Sequence, residues 1–234
     1  MKNPIIVALD VPEAETALKL AGAVAPVVGA FKIGKELFVS AGPDIVKRVR
    51  DTGASVFLDL KFHDIPNTVA KAVASATRLD VQMLTVHTCG GSTMLQGALK
   101  GAAEAAEQTG NEPPLILGVT VLTSMDESDL NQVSINKTPE EQVIHLAKMA
   151  TGAGLKGLVC SPKEITALRE VLPTEVKLVT PGIRPAGSDS GDQKRVMTPS
   201  EAIQAGADWL VIGRPICAAD NPRAAAESIL ESLG

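Results

Sequence analysis

Eight short runs rich in Val, Ile and Leu recur along the chain, each separated from the next by a stretch with helical spacing or strong helix formers. Runs of that length bounded by turn residues have the pattern of strands buried on both faces, as parallel sheets require. They are Ile5 to Leu9, Gly29 to Ile33, Ser55 to Leu60, Val81 to His87, Leu115 to Val121, Gly157 to Cys160, Val176 to Thr180 and Trp209 to Ile212. The intervening helical segments are Ala14 to Val24, Asp44 to Arg50, Thr68 to Thr77, Thr93 to Gln108, Pro139 to Met149, Pro162 to Val171, Pro199 to Gln204 and Pro222 to Leu233. The last four open with proline, whose missing N–H has no helical partner in a first turn. Strand-then-helix repeated eight times suits a closed barrel, and an open doubly wound sheet is the alternative. No GxGxxG follows the first run. Polar residues instead stand where the runs end, at Asp10, Lys32, Asp59, Lys61, His87, Thr123, Arg184 and Arg214. A closed barrel brings all such ends to one face. The expectation is an α/β protein, a (β/α)8 TIM barrel forming a single domain over residues 1–234.

With 45% hydrophobic residues, the 234-residue chain can bury a full core of that kind. Its net charge of -5 argues against nucleic acid or an anionic membrane as partner, since either needs a basic surface. A phosphate-bearing ligand must therefore meet a local site. The three cysteines, Cys89, Cys160 and Cys217, form no CxxC pair and suggest neither a disulfide framework nor a zinc knuckle, which fits a reducing cytoplasm. The apolar N-terminal stretch is broken by Asp10 before it reaches signal-peptide or membrane-span length. Two polar stretches, Ser124 to Lys137 and Ala186 to Arg195, read as surface loops. The second, flanked by Arg184 and containing Gln193, reads further as a lid over substrate.

The segment Val56-Phe57-Leu58-Asp59-Leu60-Lys61-Phe62-His63-Asp64 carries the strongest chemical signal. Side chains alternate along a strand, so Asp59 and Lys61 share one face. Asp64 follows in the turn, where it can approach the same ammonium or reach a neighbouring subunit. An isolated Asp-x-Lys could be no more than a buried pair that sets register. Here, however, Lys32 in Phe31-Lys32-Ile33-Gly34 ends another strand, and two ammonium groups facing two carboxylates make a balanced array. That array suits decarboxylation: a lysine cation stabilises developing negative charge and then donates a proton. No cluster of His, Cys or paired carboxylates suggests a metal ligand set, so neither metal nor organic cofactor is expected.

Thr180-Pro181-Gly182-Ile183-Arg184 and Ile212-Gly213-Arg214-Pro215 each set a glycine and an arginine at the end of a run. The loops after strands seven and eight are where many barrels hold phosphate, and arginine adds directed donors with a permanent charge.

With these residues, the sequence resembles the orotidine 5'-monophosphate decarboxylases of the bacterial type over nearly its whole length. The motifs that carry the resemblance are Val7-Ala8-Leu9-Asp10, Phe31-Lys32-Ile33-Gly34, the ten residues from Asp59 to Thr68, Val119 to Ser124, Thr180 to Arg184 and Val211 to Pro215. The resemblance implies conversion of orotidine 5'-monophosphate to uridine 5'-monophosphate in de novo pyrimidine biosynthesis. It implies Lys61 as proton donor to C6, with Asp59, Lys32 and Asp64 completing the charged network. Asp10 and Lys32 would hold ribose hydroxyls, and Thr123 with Ser124 would lie near the pyrimidine. Arg184, Gln193, Gly213 and Arg214 would bind phosphate, Gln193 also bridging toward the base. Asp64 and Thr68 would reach the partner's site, which implies a homodimer with shared active sites. One departure lies in Thr85-Val86-His87-Thr88-Cys89-Gly90-Gly91, where the family more often carries Asn before Val and small residues after His. The charge network is expected to be unaffected; His87 is read as structural, and His63 as orienting the loop rather than transferring a proton.

Two other functions remain. A related barrel acts on sugar phosphates through a magnesium-bound enediolate and shares Asp-x-Lys-x-x-Asp, but it needs an oxygen ligand on strand two, where Lys32 would oppose a divalent cation. A catalytically silent phosphate-binding barrel would keep Arg184 and Arg214 with little reason to bury four further charges.

Overall fold

The computed structural model describes residues 3–185 and 196–233. Each of the eight apolar runs contains or overlaps a strand: β1 (Ile5–Ala8), β2 (Ala30–Gly34), β3 (Ser55–Phe62), β4 (Met83–His87), β5 (Leu115–Val119), β6 (Gly157–Val159), β7 (Lys177–Thr180) and β8 (Trp209–Ile212). Every strand is parallel to its sequence neighbours, and β1 pairs with β8 through Ile5–Leu210 and Val7–Ile212, so the sheet closes into a barrel. The open doubly wound alternative is thereby excluded.

Period-two alternation divides the strand side chains between two cores. Ile6, Phe57, Met83, Leu117, Val179 and Val211 fill the barrel interior. Their neighbours Ile5, Val7, Val56, Leu58, Leu84 and Leu210 face outward into the layer beneath the helices.

The outer layer is built from α1 (Ala14–Val24), α2 (Lys35–Ala41), α3 (Asp44–Arg50), α4 (Pro66–Thr77), α5 (Gly91–Thr109), α6 (Glu127–Gln132), α7 (Pro139–Gly152), α8 (Ile165–Val171), α9 (Pro199–Ala205), α10 (Arg214–Cys217) and α11 (Pro222–Glu231). Prolines open α7, α9 and α11, and the residues before them cap the helices: Thr138, Thr198 and Asn221 accept backbone N–H bonds in the first turn. Pro162 opens a 3-10 turn, Pro162–Glu164, that leads into α8. The α4–α5 contact is close enough to require glycine, since a Cβ on Gly101 would stand 2.3 Å from the Ala70 carbonyl oxygen.

The stretch from Ser124 to Lys137, expected as irregular surface, contains α6. Asp126 and Asp129 cap each other's backbone N–H, and Leu130 anchors the turn in the core. Met125 and Ile135 pack against the same core, and the polar composition of the stretch concealed these few apolar anchors. The stretch expected as a lid, 186–195, lies outside the described residues. Its flanks are held together by a bridge between Ile183 and Met197, with the Arg184 N–H donating to the Met197 carbonyl at 3.0 Å.

Candidate active site

Above the apolar plug the inward positions turn polar. Two residues beyond Ala8, Ala30, Phe57 and Met83, each on an interior face, come Asp10, Lys32, Asp59 and Thr85. One alternation step on four adjacent strands therefore assembles a polar layer at the carboxyl ends, the face where barrels do their chemistry.

The layer is a continuous charge ladder. Lys32 Nζ donates to Asp10 Oδ1 at 2.8 Å and lies 3.7 Å from Asp59 Oδ2. Lys61 Nζ reaches both oxygens of Asp59, at 2.7 and 2.8 Å. Lys32 and Asp59 are each only 9% exposed. Burial by itself would raise the Asp59 pKa, but the Lys32 and Lys61 charges, with hydrogen bonds from Lys61 and Thr85, outweigh it and hold the carboxyl below its ordinary value. Asp59 is therefore an ionised carboxylate in a nearly dry setting.

Lys61 reaches this position through an irregularity rather than by alternation alone. Leu58 pairs with Leu84 and Phe62 with Val86, so four steps of β3 pass against two of β4. Within this bulge Lys61 has φ of 54°, a left-handed conformation that costs a residue with a side chain about 1–2 kcal/mol. Its N–H donates to Thr85 Oγ1 at 2.9 Å, and the same hydroxyl donates to Asp59 Oδ1 at 3.0 Å. The departure on strand four thus enters the network directly, where no effect was expected. Gly34 is also part of the design: a Cβ there would come within 3.0 Å of both Asp10 Oδ1 and Lys32 Nζ.

Two adjoining cavities open at the layer. The larger, about 410 Å3, is bordered by Asp10, Lys32, Gly182, Arg184, Gly213 and Arg214. The smaller, about 190 Å3, has Lys32, Asp59, Lys61 and Thr123 on one side and apolar Phe57, Val119 and Val159 on the other. Lys32, Pro181 and Val211 border both, so one elongated ligand with a polar end and a flat end could span them. Cys217 and Cys160 line the larger and the smaller cavity respectively. Burial first, then a nearby carboxylate, raises their pKa values to about 11 and about 12, which leaves both as neutral thiols.

The remaining expected residues lie at the rim or beyond it. Arg184 is half-buried and Arg214 exposed at the start of α10. Ser124 is exposed next to Thr123. Asp64 is not part of the ladder within one chain: it is exposed and its Oδ1 accepts the Ile65 N–H at 2.6 Å, so Asp10 supplies the second carboxylate instead. His63 to Thr68 form one uninterrupted exposed stretch, with Ile65 66% exposed. Gln193 falls outside the described residues. His87 stacks obliquely on His63 at 5.7 Å between ring centres. Burial, followed by the charges of His63, Lys61 and Lys35, pushes its pKa down to about 4 against an opposing pull from Asp59, so the ring is neutral at neutral pH. Sequence reasoning gave Thr85 and Gly34 no role. Thr85 was accessible in principle, since Met83, Thr85 and His87 share one face by alternation.

Fold and site together define a (β/α)8-barrel enzyme whose charged groups converge at the carboxyl ends of its strands. The model of the orotidine 5'-phosphate decarboxylase / HUMPS family matches residues 3–229, and the chain belongs to that family. It is 52% identical to the orotidine 5'-phosphate decarboxylase of Pseudoalteromonas translucida, covering 98% of this chain and 96% of that one. It is 53% identical to the enzyme of the same name from Moorella thermoacetica, over 99% and 92% of the two chains. Among solved structures, orotidine 5'-phosphate decarboxylase from Lactobacillus acidophilus superposes with a TM-score of 0.88 at 39% identity, covering 99% of both chains. The protein of that name from Pyrococcus horikoshii superposes at 0.79 with 26% identity, over 98% of each.

Proposed function

We propose that this chain decarboxylates orotidine 5'-monophosphate to uridine 5'-monophosphate in de novo pyrimidine biosynthesis, without metal or organic cofactor, as a cytoplasmic homodimer with shared active sites. The observation that carries the reading is Asp59, ionised and buried between Lys32 and Lys61 at the edge of the smaller cavity.

The pyrimidine occupies the smaller cavity beside Thr123 and Ser124, with its carboxylate toward Asp59. The C6–carboxylate bond breaks, its electron pair stays on C6, and CO2 leaves. The Lys61 ammonium donates a proton to C6, and the resulting amine regains one from water. The net change is consumption of one proton and release of CO2. Like-charge repulsion at Asp59 falls as CO2 departs, while the Lys61 charge stabilises the developing carbanion. Asp10 and Lys32 hold the ribose hydroxyls. Arg184, Gly213 and Arg214, with Gln193 from the 186–195 stretch, take the phosphate at the far end of the larger cavity. Cofactor independence rests on Lys32, which puts an ammonium where a divalent cation would need an oxygen ligand.

Exposure of the whole His63 to Thr68 stretch, with Asp64 unpaired to its own Lys61, supports donation of Asp64 and Thr68 to the partner's site. EDTA-treated protein given orotidine 5'-monophosphate should release CO2 and lose the substrate's absorbance at an undiminished rate. Activity that vanishes with EDTA and returns with magnesium would favour the sugar-phosphate chemistry. Binding without turnover would make the chain a silent barrel.

A further inference from the structure

The bulge in β3 raises a problem that the charge ladder alone does not solve. In an unbroken parallel ladder each backbone N–H is met by a carbonyl of a neighbouring strand. Because Leu58 pairs with Leu84 and Phe62 with Val86, Thr85 alone stands opposite Asp59, Leu60 and Lys61, and the regular exchange of backbone bonds is interrupted at Lys61. The Thr85 side chain takes over. Its oxygen accepts the Lys61 N–H at 2.9 Å, in a position with no solvent exposure. A hydroxyl has one proton, and this one is donated to Asp59 Oδ1 at 3.0 Å.

We propose that Thr85 is a positioning residue for the reaction, its hydroxyl fixing at once the left-handed Lys61 backbone and the orientation of the Asp59 carboxylate. This rests on the decarboxylase reading of the site and deepens it. With Thr85 present, Asp59 Oδ1 accepts from both Lys61 and Thr85, while Oδ2 accepts from Lys61 and lies 3.7 Å from the Lys32 ammonium. The carboxylate plane cannot turn without breaking one of these contacts. Lys61 in turn is held at both ends, its N–H by Thr85 and its ammonium by Asp59. One buried hydroxyl thereby links the backbone of the proton donor to the carboxylate that its ammonium contacts. Thr85 itself borders neither cavity. Its effect must pass through Asp59 and Lys61.

Thr85→Val keeps the shape and removes the hydroxyl, whereas Thr85→Ser keeps the hydroxyl and removes the methyl. Both are assayed against wild type with orotidine 5'-monophosphate across pH, with amide hydrogen exchange read at Lys61. Thr85→Val should lower kcat roughly tenfold to a hundredfold, as expected for loss of a bond to a charged group, with KM within about threefold of wild type. The acid limb of its rate profile should move up in pH, because ionised Asp59, faced by Lys32 from β2, Lys61 from β3 and His87 from β4, loses a donor. The Lys61 amide should exchange faster. Thr85→Ser should restore all three properties. A folded Thr85→Val with wild-type kcat and acid limb overturns the proposal, as does a Thr85→Ser variant as impaired as Thr85→Val, which would show that only methyl packing matters. If Thr85→Val does not fold, Thr85→Cys, a poor donor and acceptor of similar size, is read against the same two outcomes. Wild type inert toward the nucleotide would overturn the functional reading instead, and slow Lys61 exchange lost only in the hydroxyl-free variant would still support the structural link.

Discussion

Replacing Asp59 by asparagine keeps the shape of the side chain and removes its charge, which leaves Lys32 and Lys61 as two adjacent cations with no carboxylate between them. At an effective dielectric near 20, a unit-charge pair 4 Å apart is worth about 4 kcal/mol. Asp59 makes two such contacts, with Lys61 at 2.7 Å and Lys32 at 3.7 Å, so the gross attraction is about 8 kcal/mol or more. The desolvation cost of the buried carboxylate, several kcal/mol, offsets roughly half of it. The net expectation is a loss of about 3–5 kcal/mol at neutral pH, the usual cost of breaking a buried pair from one side. That is a large part of the roughly 5–15 kcal/mol that holds a domain folded. Trp209, the one tryptophan in the chain, packs against the interior core that underlies the ladder, so its fluorescence in a urea titration reports unfolding. The sign with pH is also determined. The folded pKa of Asp59 is depressed, so its contribution is fully present above the ordinary value of 3.8 and disappears as pH falls through the lower folded value. Wild type and Asp59→Asn should therefore differ most near neutrality and converge in strong acid. A neutral-pH difference below about 1 kcal/mol, the range of an exposed pair, or one that persists unchanged into acid, would refute the account of Asp59 as an ionised, buried partner of two lysines.

Mixing inactive Lys61→Ala with inactive Asp64→Ala chains under conditions that exchange subunits should restore activity in about a quarter of all sites, because half the dimers are mixed and each carries one intact site. No recovery despite proven exchange would remove Asp64 from the partner's site. Arg214→Ala, an exposed change at the mouth of the larger cavity, should weaken nucleotide binding about tenfold to a hundredfold, the loss of one charge-assisted contact, with an unchanged Tm. Normal affinity by calorimetry would displace the phosphate. His87, whose folded pKa is about 4 against an ordinary 6.5, remains neutral while the unfolded chain takes up a proton between those values, so stability should decline as pH falls from 6.5 toward 4. His87→Asn should flatten that part of the curve, and an unaltered slope in urea titrations would count against burial of the neutral ring.

Much of this protein is local information. The apolar runs place eight strands because a segment buried on both faces must be continuously apolar, wherever its partners lie in the sequence. Helices α7, α9 and α11 begin at their prolines because capping and a preset φ act within one turn. The period of two is also local, and it suffices to put Asp59 on an inward face and Lys32 at the end of another strand. What it could not supply is which distant groups meet. Asp10, not Asp64, completes the ladder beside Lys32 because β1 and β2 pair in a register that sets Ala8 opposite Lys32. The left-handed turn at Lys61 has no signal of its own, since it exists only because β4 offers two residues where β3 spends four. Thr85 acquired its place for the same reason: an orphaned N–H and a buried carboxylate converge on it from another strand, and hydrogen-bond satisfaction in a dry interior is decided by tertiary packing rather than by the residue's neighbours in the chain.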